Sequence, residues 1–248
     1  MRLEGKVAVI TGAASGFGEG IAKRFAEEGA RVVVADLNGA EAERVASEIG
    51  ESAVPVQVDV SSLEDTRAMV AAATDNFGAC DIFVANAGYT HTNGSLLDVD
   101  EETYDRVGDV NMKALYHMAQ VVVPIMRKQG GGNILATAST AGLRPRPGLV
   151  WYNASKAWVI NACKCMAVEL APDNIRVNTL CPVAGETGML ADFMGEDTPE
   201  IREKFKSVIP LGRFSQPRDM ANAALYLCSD EADFITGVAM EVDGGRCV

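Results

Sequence analysis

The chain has 248 residues, of which 48% are hydrophobic and 23% are charged, a composition typical of a globular protein with one well-covered core. Its net charge of −12 repels nucleic-acid phosphates and anionic membrane surfaces, so we expect neither as a partner. No apolar run reaches the roughly 18 residues that cross a bilayer. The first residues alternate in charge too early for a secretory leader, and we expect a cytoplasmic protein.

The cysteines do not follow a metal-binding or disulfide pattern, because none of them are in C-x-x-C spacing. With only two histidines in the chain, a zinc site would also lack nitrogen ligands. We therefore expect no metal and six reduced, mostly packed thiols, at Cys80, Cys163, Cys165, Cys181, Cys228 and Cys247.

Short runs rich in Val and Ile alternate with longer amphipathic stretches along the chain. The first run, "KVAVIT", has the length and β-branching of a buried strand. Strands alternating with helices give right-handed crossovers and a parallel sheet covered on both faces. We predict a three-layer, doubly wound, seven-stranded parallel sheet of the Rossmann type, in one domain spanning 1–248. The predicted strands lie at 6–11, 31–36, 54–59, 80–88, 132–139, 174–182 and 238–245.

A glycine-rich turn, "TGAASGFG", follows the first predicted strand and opens a helix. Gly12 permits a tight turn, Gly16 lets the backbone approach a ligand, and Gly18 lets the helix pack near the sheet. The free N–H groups at the helix start would face a pyrophosphate. The turn, with Ser15 and Phe17, therefore predicts a dinucleotide site.

An acid at the end of the second predicted strand strengthens that interpretation. Asp36 can accept both hydrogen bonds of an adenosine ribose diol and would repel a 2′-phosphate. Leu37 supplies no cation to offset the repulsion, so NAD is favoured over NADP. Asp59 and Val60 follow the third predicted strand and could flank the adenine, although Asp59 could equally cap the next helix.

Tyr152 and Lys156 lie four residues apart, on one face of a predicted helix. A phenol has a pKa of about 10, and a nearby ammonium lowers it. We therefore expect Lys156 to make Tyr152 a general acid or base for a ketone or an alcohol. Ser139 ends the fifth predicted strand, where its hydroxyl would open onto the ligand crevice.

Together, Thr11-Gly12-x-x-x-Gly16-x-Gly18, Asn86-Ala87-Gly88, Asn111, Ser139 and Tyr152-x-x-x-Lys156 resemble the short-chain dehydrogenase/reductase family in its compact form, over essentially the whole chain. The resemblance implies that Ser139 orients the substrate oxygen, Tyr152 exchanges the proton and Lys156 also holds the nicotinamide ribose. It further implies that Asn111 keeps a water in a proton relay, and that the protein is a homotetramer. Contacts to the cofactor are implied for Asn86, Ala87, Gly88, Asp59, Val60, Pro182, Val183 and Thr187. The chain departs from the family pattern at Val183, where glycine is usual, so the local backbone path there could differ from the family's.

The segment 183–215 contains no clear strand, and we predict that it forms a substrate lid. Met189, Leu190, Phe193 and Met194 in it could be an apolar roof of the pocket, ordinary core or subunit contacts. His91, Arg144 and Arg146 could bind an anionic substrate or be solvated loop residues.

The leading functional hypothesis is an NAD-dependent oxidoreductase for a secondary alcohol, such as a polyol or a hydroxy acid, and its ketone. One alternative resembles the family's 3-oxoacyl-carrier-protein reductases. The other is a non-enzymatic NAD sensor or scaffold, which would be more attractive had Ser139, Tyr152 or Lys156 been lost.

Overall fold

The structure is a computed structural model and describes all residues, 1–248. It contains one sheet of seven strands in the order β3-β2-β1-β4-β5-β6-β7, and every neighbouring pair is parallel. The predicted doubly wound sheet and its seven strands are confirmed. The strands are β1 (Val7–Thr11), β2 (Arg31–Asp36), β3 (Ala53–Gln57), β4 (Ile82–Ala85), β5 (Gly132–Thr137), β6 (Ile175–Pro182) and β7 (Ala239–Val242).

Helices connect the strands and cover both faces of the sheet. They are α1 (Gly16–Glu27), α2 (Gly39–Ile49), α3 (Leu63–Phe77), α4 (Glu101–Gly108), α5 (Ala114–Gln129), α6 (Val150–Leu170), α7 (Leu190–Met194), α8 (Pro199–Lys206) and α9 (Pro217–Cys228). None of these helices is both long and apolar enough to span a bilayer.

The core consists of two large apolar clusters, one on each face of the sheet. Alternate residues of β1 point to opposite faces, so that Val7 and Val9 join the cluster under α3, α5 and α6. Ala8 and Ile10 join the cluster under α1, α2 and α9. Because both faces are buried, the strands appear in the sequence as continuous apolar runs rather than as alternating patterns.

Every strand except β2 is shorter than the sequence predicted, and β4 and β7 differ most. β4 ends at Ala85 because the N–H of Asn86 turns away from the ladder and donates to Thr11 Oγ1 at 3.0 Å. β7 ends at Val242 because the carboxylate of Asp243 accepts from the N–H groups of Gly245 and Cys247 in a tight turn.

The sheet reverses its winding direction between β1 and β4, because β2 and β3 lie on one side of β1 and the later strands on the other. In doubly wound sheets, ligands bind in the crevice outside the carboxyl ends of the strands at this switch point. The residues that follow β1 and β4 are the glycine turn and Asn86 to Gly88.

The segment 183–215 leaves the sheet after β6, carries α7 and α8, and returns before α9. Its two ends are joined by a parallel bridge between Gly185 and Ser215. The segment has a small apolar cluster of its own, consisting of Val183, Leu190, Met194, Ile209 and Phe214.

Candidate active site

A cavity of about 380 Å³ opens at the carboxyl edge of the sheet, at the switch point. Gly18 is the one residue of the predicted cofactor set that does not line it. All the other residues of that set line the cavity: Gly12, Ser15, Gly16, Phe17, Asp36, Leu37, Asp59, Val60, Asn86, Ala87, Gly88, Tyr152, Lys156, Pro182, Val183 and Thr187. The residues that the sequence assigned to a dinucleotide are thus gathered around one space.

The glycine turn uses backbone conformations that favour glycine. Gly12 and Gly16 have φ angles of 63° and 54°, in the left-handed region that favours glycine. A side chain on Gly18 would overlap the carbonyl oxygen of Gly12, so Gly18 acts by packing and not by facing the cavity. Ser15 is the N-cap of α1 and no side chain caps this helix start. These features fit an anionic pyrophosphate at the open N–H groups.

Asp36 ends β2 at the rim of the cavity. One carboxylate oxygen accepts from the N–H of Ala14 and the other from the N–H of Asn38, each at 3.0 Å. These bonds fix the carboxylate, and each oxygen keeps a lone pair for a further donor. The neighbouring Leu37 is 56% exposed and brings no charge, so the pair fits a ribose diol.

Asp59 is held by an ion pair that the sequence did not reveal. One carboxylate oxygen lies 3.2 Å from Nη1 of Arg106, and the other accepts from the N–H and hydroxyl of Ser61. Burial acts to raise the pKa of Asp59, but these donors hold it below its usual value. The alternative that Asp59 caps the next helix is wrong, because Ser62 is the N-cap of α3.

Asn86 joins three strands beneath the cavity. Its Nδ2 donates to the carbonyl oxygens of Thr11 and Gly12 at 3.0 and 3.2 Å. Its Oδ1 accepts from the hydroxyl of Thr137 at 3.1 Å. The side chain therefore fixes the relative positions of β1, β4 and β5, and with them the cavity wall.

The side chains of Ser139, Tyr152 and Lys156 all line the same cavity. Ser139 follows β5, and its Oγ accepts from the N–H of Ala141 at 3.1 Å. Tyr152 and Lys156 share one face of α6, with the Nζ of Lys156 at 5.7 Å from the centroid of the Tyr152 ring. The structure thus brings the three predicted catalytic groups together.

The expectation that Lys156 makes Tyr152 more acidic is not met. Burial raises the pKa of Tyr152 to about 12, and a hydrogen bond with Ser139 offsets only part of that effect. Burial also lowers the pKa of Lys156 to about 8. The sequence shows the spacing of the two groups but not how deeply they lie, and here the loss of hydration on burial is the largest cause of both pKa shifts.

Asn111 lies outside the main cavity, in a π-helical turn at Asp109–Lys113. Its Oδ1 accepts from the N–H of Tyr89, and its Nδ2 donates to Tyr89 O and Ser155 Oγ, all at 2.9 Å. A second cavity of about 30 Å³ is lined by Asn111, Thr137 and Lys156. That volume has room for about one water molecule. The sequence did not predict the π-helical turn, a feature often found at functional sites.

The apolar residues of 183–215 divide between the cavity wall and a core, two of the alternatives that the sequence left open. Met189 and Phe193 line the cavity, whereas Leu190 and Met194 pack in the segment's own cluster. The ring of Phe193 lies 5.1 Å from that of Tyr152, centroid to centroid. Val183 keeps negative φ, so valine is accommodated at the position where glycine was expected.

The three basic candidates for a substrate contact are separated. Arg144 donates to the carbonyl oxygen of Arg246 at 2.9 Å, away from the cavity. His91 lies outside the main cavity, in a separate polar pocket, and its Nδ1 contacts Thr92 O. Arg146 does line the main cavity. Sequence reasoning also missed Phe205, a cavity-lining residue of α8 that no motif indicates.

Comparison with known proteins agrees with this geometry. A family model described as enoyl-(acyl carrier protein) reductase matches residues 12–246. The 4-formylbenzenesulfonate dehydrogenase of Comamonas testosteroni is 50% identical, over 99% of both chains. The chain belongs to the short-chain dehydrogenase/reductase family. It is an oxidoreductase that acts on CH–OH groups or their carbonyl counterparts with a nicotinamide cofactor.

Two solved structures are similar over nearly all of this chain. A 3-ketoacyl-(acyl-carrier-protein) reductase from Brucella melitensis complexed with NADH has 50% identity and a TM-score of 0.95, covering 99% of this chain and 100% of that one. A 7α-hydroxysteroid dehydrogenase complexed with NADH and 7-oxo glycochenodeoxycholic acid has 37% identity and a TM-score of 0.91, covering 98% and 95%.

Proposed function

We propose that this short-chain dehydrogenase/reductase interconverts a secondary alcohol and its ketone with NAD(H), and that Tyr152 exchanges the proton. The observation that carries the proposal is the position of Ser139, Tyr152 and Lys156 on the wall of the cavity that the predicted dinucleotide residues line. A bound nicotinamide supplies or accepts the hydride, and its oxidised ring carries positive charge.

The protein groups divide the remaining work. The Ser139 hydroxyl holds the substrate oxygen against the phenol of Tyr152. Because burial raises the pKa of Tyr152 to about 12, the phenol is protonated at neutral pH and ready to donate to a ketone oxygen. In the oxidation direction it must first lose that proton, and the positive charge of the oxidised nicotinamide would favour that loss.

Lys156 and Asn111 form the route by which Tyr152 regains its proton. A side chain added at Gly88 would lie 3.4 Å from Lys156 Nζ and 3.5 Å from Asn111 Oδ1, so these polar atoms both border Gly88. A water in the adjoining cavity of about 30 Å³ would link them. Lys156 would also hold the ribose of the nicotinamide.

NAD is preferred to NADP because Asp36 stands at the rim where an adenosine ribose would lie. Its carboxylate is oriented by Ala14 and Asn38, and it would repel a 2′-phosphate. The NADH in the two similar structures supports this preference. Pro182, Val183 and Thr187 would border the nicotinamide end.

The relatives support a carbonyl substrate of modest size. One is named for an aromatic aldehyde with a sulfonate group, and another was crystallised with a 7-oxo bile acid conjugate. The Brucella structure supports a second candidate, reduction of a 3-oxoacyl group on acyl-carrier protein. Turnover of free ketones in the absence of any carrier protein would favour the first candidate.

A screen of NADH fluorescence against ketones, and of NAD against secondary alcohols, sugar alcohols and hydroxy acids, tests the proposal. Tyr152→Phe is the control and should be inactive with every true substrate while still quenching on NADH binding. If Tyr152→Phe keeps wild-type turnover, the assigned proton donor is wrong. If NADPH supports faster turnover than NADH, the NAD preference is wrong.

We further propose a single domain in which the segment 183–215 is the substrate lid, because Met189 and Phe193 reach the cavity from it. A homotetramer in the cytoplasm is also proposed. Exposed aromatic and apolar side chains on α4, α5 and α6 support the assembly, at Tyr104, Tyr116, Trp158 and Val168. Light scattering should give four times the mass of one chain.

A further inference from the structure

Arg146 is a cation in the substrate end of the cavity with nothing in the protein to neutralise it. Its Nη2 atom is buried and has no hydrogen-bond partner. The other two cations on the cavity wall are satisfied, since Arg106 pairs with Asp59 and Lys156 donates to the carbonyl oxygen of Thr137. Arg146 is half-buried as a whole, and a guanidinium nitrogen that is buried without an acceptor is costly, so an anion from outside the chain would stabilise it.

Arg146 stays positively charged at neutral pH, and no carboxylate of the protein pairs with it. Burial and the nearby Arg246 lower the pKa of Arg146 to about 10, and no carboxylate is among the charges that act on it. A guanidinium with that pKa is still protonated at neutral pH. Arg146 is therefore an available, partly dehydrated fork of donors, the geometry that matches a carboxylate or sulfonate.

The position of Arg146 is fixed relative to the catalytic helix. The Nδ2 of Asn153 donates to the carbonyl oxygen of Arg146 at 2.7 Å, and Asn153 is the residue after Tyr152 in α6. The guanidinium also lies 4.9 Å from the centroid of the Phe205 ring. The loop before α6 therefore presents the cation from a defined place on the cavity wall.

The wall near Arg146 and Tyr152 is aromatic. Phe205 packs on Arg146, Phe193 packs on Tyr152, and both rings line the cavity. Such a wall suits a flat apolar body with its carbonyl at the Tyr152 end and its charge at the Arg146 end.

We propose that Arg146 binds the anionic group, a carboxylate or a sulfonate, of a substrate whose flat apolar body packs on Phe193 and Phe205 while its carbonyl faces Tyr152. The inference rests on the proposed function, because it names the substrate class for that same site. It makes Arg146 a specificity-determining residue that touches the substrate without taking part in proton transfer.

Binding of a matched set of acetophenones, measured by calorimetry on the full chain, tests the inference. The set is 4-acetylbenzoate, 4-acetylbenzenesulfonate, neutral 4-methylacetophenone and a cationic 4-acetyl-N,N,N-trimethylanilinium. Titrations with saturating NAD avoid turnover of the ketones, and titrations without nucleotide are run beside them. We expect both anions to bind at least about 10-fold more tightly than the neutral ketone, and the cation to bind no better than the neutral one. The two anions together separate a carboxylate preference from a sulfonate preference.

Replacements at Arg146 and Arg144 give the matched comparison. Arg146→Met should remove the preference, so that the two anions bind no more tightly than the neutral ketone, and Arg146→Lys should retain part of it. Arg144→Met, in the same loop but bonded to the backbone of Arg246, should retain the full preference. If wild type binds the anions no better than the neutral ketone, or if Arg146→Met keeps the preference, the inference is overturned.

Reduction of the same ketones by NADH separates this inference from the proposed function. If anions bind selectively through Arg146 but no ketone is reduced, the proposed function fails and the anion site stands. If 4-methylacetophenone is reduced as efficiently as the two anions, the proposed function stands and the anion site fails. Melting temperatures of both Arg146 variants establish that each is folded. The affinities of wild type for the anionic, neutral and cationic ketones test the anion preference without any variant.

Discussion

The Nζ atom of Lys156 donates to the carbonyl oxygen of Thr137 at 2.9 Å, linking helix α6 to the end of strand β5. Lys156 is buried, and burial lowers its pKa from 10.5 to about 8. The unfolded chain therefore binds more protons than the folded chain between about pH 8 and 10.5, and in that range the Lys156 contribution to stability rises with pH.

Lys156→Met should remove that rise. The free energy of unfolding of wild type relative to the variant should increase from pH 8 to 10.5, by at most about 3 kcal/mol for a shift of this size. Urea denaturation at a series of pH values measures it. Lys164→Met, at an exposed position on the same helix, is the control and should give a constant difference. A constant difference for Lys156→Met would contradict the assigned burial effect.

Leu37→Arg should move cofactor preference toward NADPH. Leu37 is exposed at the cavity rim, so arginine can be placed there without disturbing the core and can pair with a 2′-phosphate. We expect kcat/KM with NADPH to rise roughly 10-fold while kcat/KM with NADH changes little, since each 1.4 kcal/mol gives a factor of ten.

Asp36→Asn combined with Leu37→Arg should extend the shift, because the repelling charge is then absent. Its cost is one lost acceptor for the N–H groups of Ala14 and Asn38, so a lower melting temperature should accompany it. Unchanged NADPH kinetics in both variants would show that the adenosine ribose does not lie at this rim.

Gly18→Ala should destabilise the fold strongly. The added methyl group would overlap the backbone carbonyl of Gly12, and two backbone segments must separate to admit it. We expect a loss of roughly 2 kcal/mol or more in urea denaturation, together with weaker NADH binding. Gly94→Ala, where the nearest atom to the new methyl is 3.9 Å away, should be close to neutral.

Asn86→Asp should destabilise the fold more than the similar shapes of the two side chains suggest. The amide donates to two carbonyl oxygens, of Thr11 and Gly12, and a carboxylate there would face both with no proton to offer. We expect a loss of about 2 to 3 kcal/mol in unfolding free energy, the penalty for a charged group left without its partners. Asn86→Ala, which removes the bonds without adding repulsion, should cost less. The reverse order would contradict the assigned orientation of the amide.

Local pattern was enough to predict the sheet, the glycine turn and the grouping of Ser139 with Tyr152 and Lys156. Each of these depends on residues close in sequence or on the common edge of parallel strands. The ion pair of Asp59 and Arg106 joins positions far apart in the chain and leaves no sequence signal. The depth of Tyr152, which sets its pKa, likewise depends on the entire surrounding fold.

Arg144 and Arg146 show the same limit more sharply. Both lie in one proline-rich loop, and nothing in "RPRPG" distinguishes them. Their side chains diverge because the next residue of α6 after Tyr152 anchors the carbonyl of Arg146, while Arg144 meets the backbone of Arg246. Whether each arginine side chain lies at the surface or in the cavity is therefore decided by partners distant in sequence, and not by the two-residue spacing.

The bridge between Gly185 and Ser215 brings the two ends of the intervening segment together, so the segment can be replaced by a different sequence between fixed end points. Two backbone hydrogen bonds hold the ends of the segment together, from Ser215 N to Ala184 O and from Glu186 N to Ser215 O. A transplanted stretch that begins and ends at this bridge and keeps Thr187 would change the part of the cavity wall formed by Met189, Phe193 and Phe205. It would leave the glycine turn and Asp36 unchanged. Directed evolution of new substrate ranges in this scaffold can therefore concentrate its library there.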